Sequence, residues 1–241
     1  MGKTSLRAAE LVLGGPRKSL GARFLKTSRY PLSVTASWNL AALDEHVAAL
    51  RACRRCPRVV APPVSGEPPR RRPGVFLVGQ APGPHEREGN RLFAFTAGTR
   101  LFQWFARIGV SEEEFRARAW MAAAIRCFPG RAPQGGDRVP APDEVANCSD
   151  WLEREFAFVR PRTVIAIGQL AISRFLPKPA PLSERIGRSF EVEHFGQSFE
   201  LIPLPHPSGR STWLIARENQ QLLDQALDRL AQSSGWRQTF G

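Results

Sequence analysis

Two sets of residues carry reactive or coordinating side chains at spacings that invite chemistry. The first is a run of short loops, each closing a buried apolar stretch: "VGQAPGPHE" with Gln80 and His85, "AAIRCFPGR" with Arg126, and "LPHPSGRSTW" with His206, Ser208 and Arg210. The prolines on both sides of His206 restrict its backbone and so fix its imidazole. Such a histidine can serve as a fixed hydrogen-bond donor or as a structural turn residue. No nucleophile or metal-binding partner accompanies it in the motif. The second set is Cys53, Cys56, Cys127 and Cys148, a C-x2-C pair followed by two single cysteines. Four thiolates suit a tetrahedral zinc or an iron–sulfur cluster, and the spacing does not choose between them.

The elements that must hold these groups follow from hydrophobic patterning. "NLAALDEHVAALRACRRC" places Leu40, Leu43, Val47 and Leu50 on one helical face and runs directly into Cys53. The following "CPRVVAPPVSGEPPRRRPG" is too rich in proline for helix or central strand. "GVFLVGQAPG", "AWMAAAIRC" and "RTVIAIGQLA" read as three buried strands, each ending in a loop. "FEVEHFGQSFELIPLPHPSG" reads as a hairpin-like piece and a fourth strand. Helices are expected in "TAGTRLFQWFARIGV", in "PDEVANCSDWLEREFAFV" opened by Pro142 and Asp143, and in "TWLIARENQQLLDQALDRLAQ". Strands alternating with helices predict an α/β fold: a three-layer α/β/α sandwich around a mainly parallel four-stranded sheet. Ligands in such sheets bind beyond the carboxyl ends of the strands, so Gln80, His85, Arg126 and His206 are expected along one rim.

The chain has 241 residues and a formal net charge of +12, mostly from arginine, whose forked guanidinium matches phosphate and stacks on bases. That charge favours a nucleic-acid partner. No stretch is apolar enough to span a membrane, and no secretory signal pattern opens the chain, so a cytoplasmic protein is expected. In that compartment four cysteines bind metal more often than they form disulfides. Residues 1–36 form a basic arm in which Glu10 is the only acid. The arm is expected to be poorly ordered, and its transit-like composition leaves an organelle open. Residues 37–241 are expected to form the working domain.

Taken together, "GQAPG", "GNRLFAFTAG", "PRTVIAIGQLA" and "HPSGRSTW" resemble the motifs of the uracil-DNA glycosylase superfamily, in particular its iron–sulfur branches, families 4 and 5. The resemblance covers roughly residues 38 to 232. It implies a monomeric DNA glycosylase that hydrolyses the N-glycosidic bond of uracil in DNA. It implies a [4Fe-4S] cluster, rather than zinc, on Cys53, Cys56, Cys127 and Cys148. His206 is then the donor to the O2 of the departing base, an electrostatic role with no proton transfer. Phe93 is the stacking ring, with Phe95 as competitor. The loop containing Gly79, Ala81 and Gly83 contacts the base or a neighbouring phosphate, and Ser208 bonds a phosphate. Arg210 stands where relatives place an apolar wedge. Arg51, Arg54, Arg55, Arg58 and Arg126 are candidate phosphate contacts. Trp213 is either a second stacking platform or a core residue.

Departures from the family pattern bear on water and on base reading. Ala81 replaces the aspartate of the best-known branch, and Gln80 replaces the family 4 glutamate. Ala123 replaces the asparagine that reads the uracil edge. His85, Glu86, Asn90 and Thr96 are the candidate substitutes for handling water. The missing asparagine predicts weaker discrimination, extending activity to other deaminated bases such as hypoxanthine and xanthine. No lysine lies near the motifs to form a Schiff base, so the expected product is an abasic site. The alternative reading is an iron–sulfur protein that binds DNA lesions without excising them. A zinc hydrolase on a similar scaffold and an RNA-binding domain are the other rivals.

Overall fold

The computed structural model describes residues 38–209 and 211–241. The arm at residues 1–36 and Arg210 lie outside the described residues. Helix α1 (Leu40–Arg51) opens on Asn39, whose side chain accepts the Ala42 N–H, and turns Leu43 and Leu50 into the core. The parallel strands are β1 (Val75–Gly79), β2 (Trp120–Ala123), β3 (Thr163–Ile167) and β5 (Gln197–Leu204). The order across the sheet is β2-β1-β3-β5-β4. Every residue of β1 and β3 is buried, as central strands of a sheet covered on both faces must be.

The sheet therefore has five strands where four were expected. The hairpin-like piece contributes β4 (Phe190–His194), which pairs antiparallel with β5 at the edge. Only Val192 of β4 is buried, so its sequence lacks the apolar run that marks a central strand. The chain also forms short helices α2 (Pro84–Gly89), α4 (Glu112–Arg118) and α8 (Ser234–Phe240), which the sequence pattern does not announce. The longer helices are α3 (Thr96–Ala106), α5 (Pro142–Val159), α6 (Gly168–Phe175) and α7 (Arg217–Gln232). Among the described residues no helix is long and apolar enough to cross a membrane.

Aromatic rings fill the spaces between layers. Phe76 of β1 packs on Phe156 of α5 with centroids 4.4 Å apart, and Phe105, Phe115, Trp236 and Phe240 form a second cluster joining α3, α4 and α8. Because β2, β1, β3 and β5 are parallel, their carboxyl ends share one edge of the sheet. The loops carrying the sequence motifs emerge there.

Candidate active site

A cleft of about 880 Å³ lies at that edge, lined by the loops after β1, β2, β3 and β5. It has the size and location of a ligand site in an open α/β fold. The first loop enters from β1. At Gly79 an added Cβ would stand 2.9 Å from Cζ of Phe93, so only glycine lets the Phe93 ring lie across the end of the strand. Phe93 is buried, with φ of +53°, a conformation costly for a residue with a side chain. Its surroundings hold it there. Its carbonyl accepts Nη2 of Arg116 at 2.7 Å and presses on Gly98, where a Cβ would come within 1.7 Å of that oxygen. The Glu86 carboxylate accepts the backbone N–H groups of Gly83, Phe93 and Ala94. One half-buried acid thus ties the first loop to the ring-bearing loop. Burial raises its pKa, and those three hydrogen bonds oppose the rise.

Phe95 is placed differently. It is 55% exposed and lies on the rim, its ring 4.5 Å from that of His85. His85 is exposed too, so these two rings form a pair at the mouth of the cleft. Gln80, Ala81, Gly83 and Ala123 all line the cleft, and the backbone of Gln80 is held by Ile125 N–H, 3.2 Å from its carbonyl. Thr96 lines it at the start of α3. Asn90 does not: its side-chain oxygen accepts the Ser65 N–H at 3.0 Å, outside the cleft.

His206 enters from the loop after β5. The Ser208 N–H donates to its Nδ1 at 3.2 Å. A nitrogen that accepts cannot carry the ring proton of a neutral imidazole, so the proton resides on Nε2. Burial lowers the pKa of His206, against the raising pull of Asp137, and so favours the neutral ring. Gly168, at φ +80°, lets the ring approach: a Cβ there would sit 3.3 Å from Cδ2 of His206. The resulting group is a neutral, oriented N–H donor in a cleft. Ser208 lines the same cleft, with its carbonyl accepting Nη1 of Arg100 at 3.2 Å. Trp213 sits in a single 3-10 turn (Trp213–Ile215) and is partly buried against the core.

The four cysteines meet elsewhere, around a cavity of about 160 Å³. Cys53 follows the end of α1, Cys127 follows β2 and Cys148 lies on α5. Burial, then repulsion from Cys148, Cys53 and Cys56, pushes the Cys127 thiol up to about 12. Cys148 rises to about 11, chiefly from burial, with Arg126 opposing. Four ionised sulfurs can share this space only with a compensating cation. Among the described residues no group of three or more His, Cys, Asp or Glu side chains is arranged to hold a single metal ion.

Arg126 corrects one expectation. It does not reach the rim or a phosphate. It is 1% exposed, paired with Glu155 and bonded to the Val64 carbonyl, and Glu155 also meets His46 at 3.2 Å. Arg55 pairs with Asp150 at 3.2 Å, and Arg58 grips Asp143 at 2.6 Å. Their charges are partly engaged inside the protein, though both side chains remain exposed.

A residue the sequence did not single out is Asp137. It lines the cleft from a glycine-rich hairpin, residues 130–138, within a segment that reads only as a loop. Proximity to the cleft residues reveals it, and nothing in "RAPQGGDR" marks it beforehand.

Comparison with known proteins adds to this geometry. The family model described as the uracil DNA glycosylase superfamily matches residues 66–231. The type-4 uracil-DNA glycosylase of Archaeoglobus fulgidus is 28% identical over 175 residues, 69% of this chain and 81% of the relative. The type-5 uracil-DNA glycosylase of Pyrobaculum aerophilum is 30% identical over 156 residues, 53% of this chain and 66% of the relative. The type-5 enzyme of Thermus thermophilus is 26% identical over 216 residues, 74% and 89% of the two chains.

Proposed function

Since the chain belongs to the uracil DNA glycosylase superfamily, we propose that its cleft takes an unstacked uracil nucleotide from DNA and hydrolyses the bond between base and sugar. The observation that carries this reading is the His206 tautomer. Breaking the bond puts positive charge on the sugar and negative charge on the base. The Nε2–H of a neutral imidazole, fixed by Ser208 on its other nitrogen, stabilises that anion at O2 as it forms. The Phe93 ring stacks on the base from the floor above Gly79. Ser208 and the Gly79–Gly83 loop contact the backbone beside the lesion, and the +12 charge draws in the DNA. Among the described residues no lysine lines the cleft, which supports a single hydrolytic step that leaves an abasic site.

Two cleft positions where relatives place polar groups carry small side chains, Ala81 and Ala123. That supports activity on hypoxanthine and xanthine as well as uracil, because an alanine at position 123 leaves no polar group there to reject the wrong base. For the cysteines, a cavity of about 160 Å³ bordered by four sulfurs, together with the resemblance to the iron–sulfur branches, supports a [4Fe-4S] cluster. Cys53, Cys56, Cys127 and Cys148 would hold it, and it would supply the positive charge their thiolates need. We further propose that the protein works as a cytoplasmic monomer and that residues 1–36 are an appended arm.

The test is a single-turnover assay on oligonucleotides carrying uracil, hypoxanthine or xanthine, followed by alkaline cleavage. Wild type is expected to cut at uracil. His206→Ala is expected to lose about 100- to 1000-fold in rate while DNA affinity survives. A wild type that binds the uracil duplex without cutting it sinks the reading in favour of lesion recognition alone.

A further inference from the structure

Glycosidic hydrolysis needs a water held against the sugar and a group to take its proton. The first-loop residue Gln80 has an amide side chain, which cannot accept a proton at neutral pH. Among the described residues two carboxylates line the cleft, Glu86 and Asp137. Glu86 already accepts three backbone N–H groups, from Gly83, Phe93 and Ala94, and its lone pairs are committed to holding the two loops together. Asp137 is differently placed. Its Oδ2 lies 3.6 Å from where a Cβ on Gly83 would stand, so it faces the first loop at close range. Its side chain is 42% exposed, and water reaches it freely. It also lies close enough to His206 for its charge to act on that ring.

The hairpin that presents Asp137 is a built scaffold. Arg138 N–H bonds the Gly130 carbonyl at 2.8 Å, and Ala132 N–H bonds that of Gly136 at 2.9 Å. Gly130, Gly135 and Gly136 all adopt positive φ, which makes the tight reversal. At its base the Arg138 guanidinium reaches the Glu144 carboxylate through both Nη atoms, at 2.9 and 2.8 Å, and the Pro129 carbonyl through Nε at 2.9 Å. Glu144 is 2% exposed and also accepts the Ala141 N–H at the start of α5. Across the hairpin Arg131 Nη1 meets Oδ1 of Asp137 at 3.2 Å, which leaves Oδ2 toward Gly83.

We propose that Asp137 is the general base of the reaction. The inference rests on the glycosylase reading above. The water oxygen forms its bond to the sugar C1′ as the bond from C1′ to the base nitrogen breaks. The electron pair of that bond departs with the base, held at O2 by His206. The proton released by the water passes to the Asp137 carboxylate, and the base anion later takes a proton from solvent. The charged and titratable groups facing Asp137 are Arg131 on its own hairpin, Glu86 across Gly83 at α2, and His206 on the loop after β5.

The experiment is single-turnover uracil excision by the full chain, wild type beside Asp137→Asn and Asp137→Ala, over a range of pH. Asp137→Asn is expected to fall about 100-fold. Its affinity for a duplex carrying a non-cleavable 2′-fluoro uracil nucleotide and its melting temperature are expected to match wild type. Rate against pH should differ in shape between wild type and Asp137→Asn. Loss of the Asp137 charge also removes a pull that raises the His206 pKa, so the His206 limb of Asp137→Asn should move to lower pH. Added formate should restore part of the rate to Asp137→Ala. An Asp137→Asn variant with the wild-type rate, or with the wild-type pH profile at a lower rate, overturns the proposal while uracil excision stands. A wild type without activity on uracil overturns the function itself.

Discussion

His206 and His194 are both partly buried imidazoles with lowered pKa values, and their surroundings give them different work. His206 has Nδ1 engaged by the Ser208 N–H, and the proposed chemistry falls to Nε2. His194 lies at the end of β4 between the rings of Phe175 and Phe195, at 5.3 and 4.1 Å, and its Nε2 has no partner. Burial, then the nearby charge of Arg174, lowers it to about 4 from an ordinary 6.5. Between those values the unfolded chain binds a proton that the folded chain refuses. Stability from this group is therefore complete above about 6.5 and declines as pH falls toward about 4. Thermal melts between pH 7 and pH 4.5 should show the decline, and His194→Gln should flatten part of it. His206 was legible as a candidate because prolines flank it in a motif. Nothing in "VEHFG" signals a strained imidazole, because its lowered pKa comes from residues distant in sequence. Phe93 and Phe95 illustrate the same limit. Two residues apart on one apolar run, they separate into floor and rim only through Gly79, Gly98 and Arg116.

At the scale of elements, the strands and long helices were legible because their apolar spacing is sustained over several turns or positions. The helices α2, α4 and α8 span six or seven residues, too short for a period to establish itself. The hairpin at residues 130–138 has no apolar pattern at all. Its anchor is Glu144, held at about 2 chiefly by its hydrogen bonds to Arg138, with Ala141 N–H and Arg58 adding to the effect. Glu144→Gln removes the charge from this buried cluster and leaves Arg138 without its carboxylate. The expected loss is about 2 kcal/mol, or roughly 6 °C in melting temperature. Uracil excision should slow as well, since Asp137 sits on the loosened hairpin. A calorimetric scan and the single-turnover assay check the two halves, and an unchanged melting temperature would contradict the anchor.

At the scale of the whole molecule, the cysteine cavity and the cleft are joined through one stretch of chain. Cys127 and Cys148 bracket the hairpin bearing Asp137, and Arg58, two residues past Cys56, reaches the same Glu144. Beneath them His46, Glu155 and Arg126 link α1, α5 and the segment after β2. The cluster proposed for the four cysteines would thus secure the side of the cleft formed by this hairpin. Cys148→Ala should lose most of the bound iron and labile sulfide, melt lower, and excise uracil roughly 10-fold more slowly or worse through misplacement of the hairpin. Iron and sulfide analysis of the purified variant, beside its rate, tests this. Full activity without iron would separate the two sites.

By itself the sequence determined the α/β alternation, the strand-end loops, the four cysteines as a set and the family resemblance. Each of these is local, written in periodicity or in residues adjacent in the chain. The tertiary structure alone decided the fifth strand, the burial of Arg126, the His206 tautomer and the place of Asp137. Those depend on groups tens of residues apart meeting in space: an edge pairing, a buried carboxylate, a backbone N–H on one nitrogen, and a hairpin swung over Gly83. The water-handling group absent from the first motif is a property of that meeting, and no local pattern encodes it.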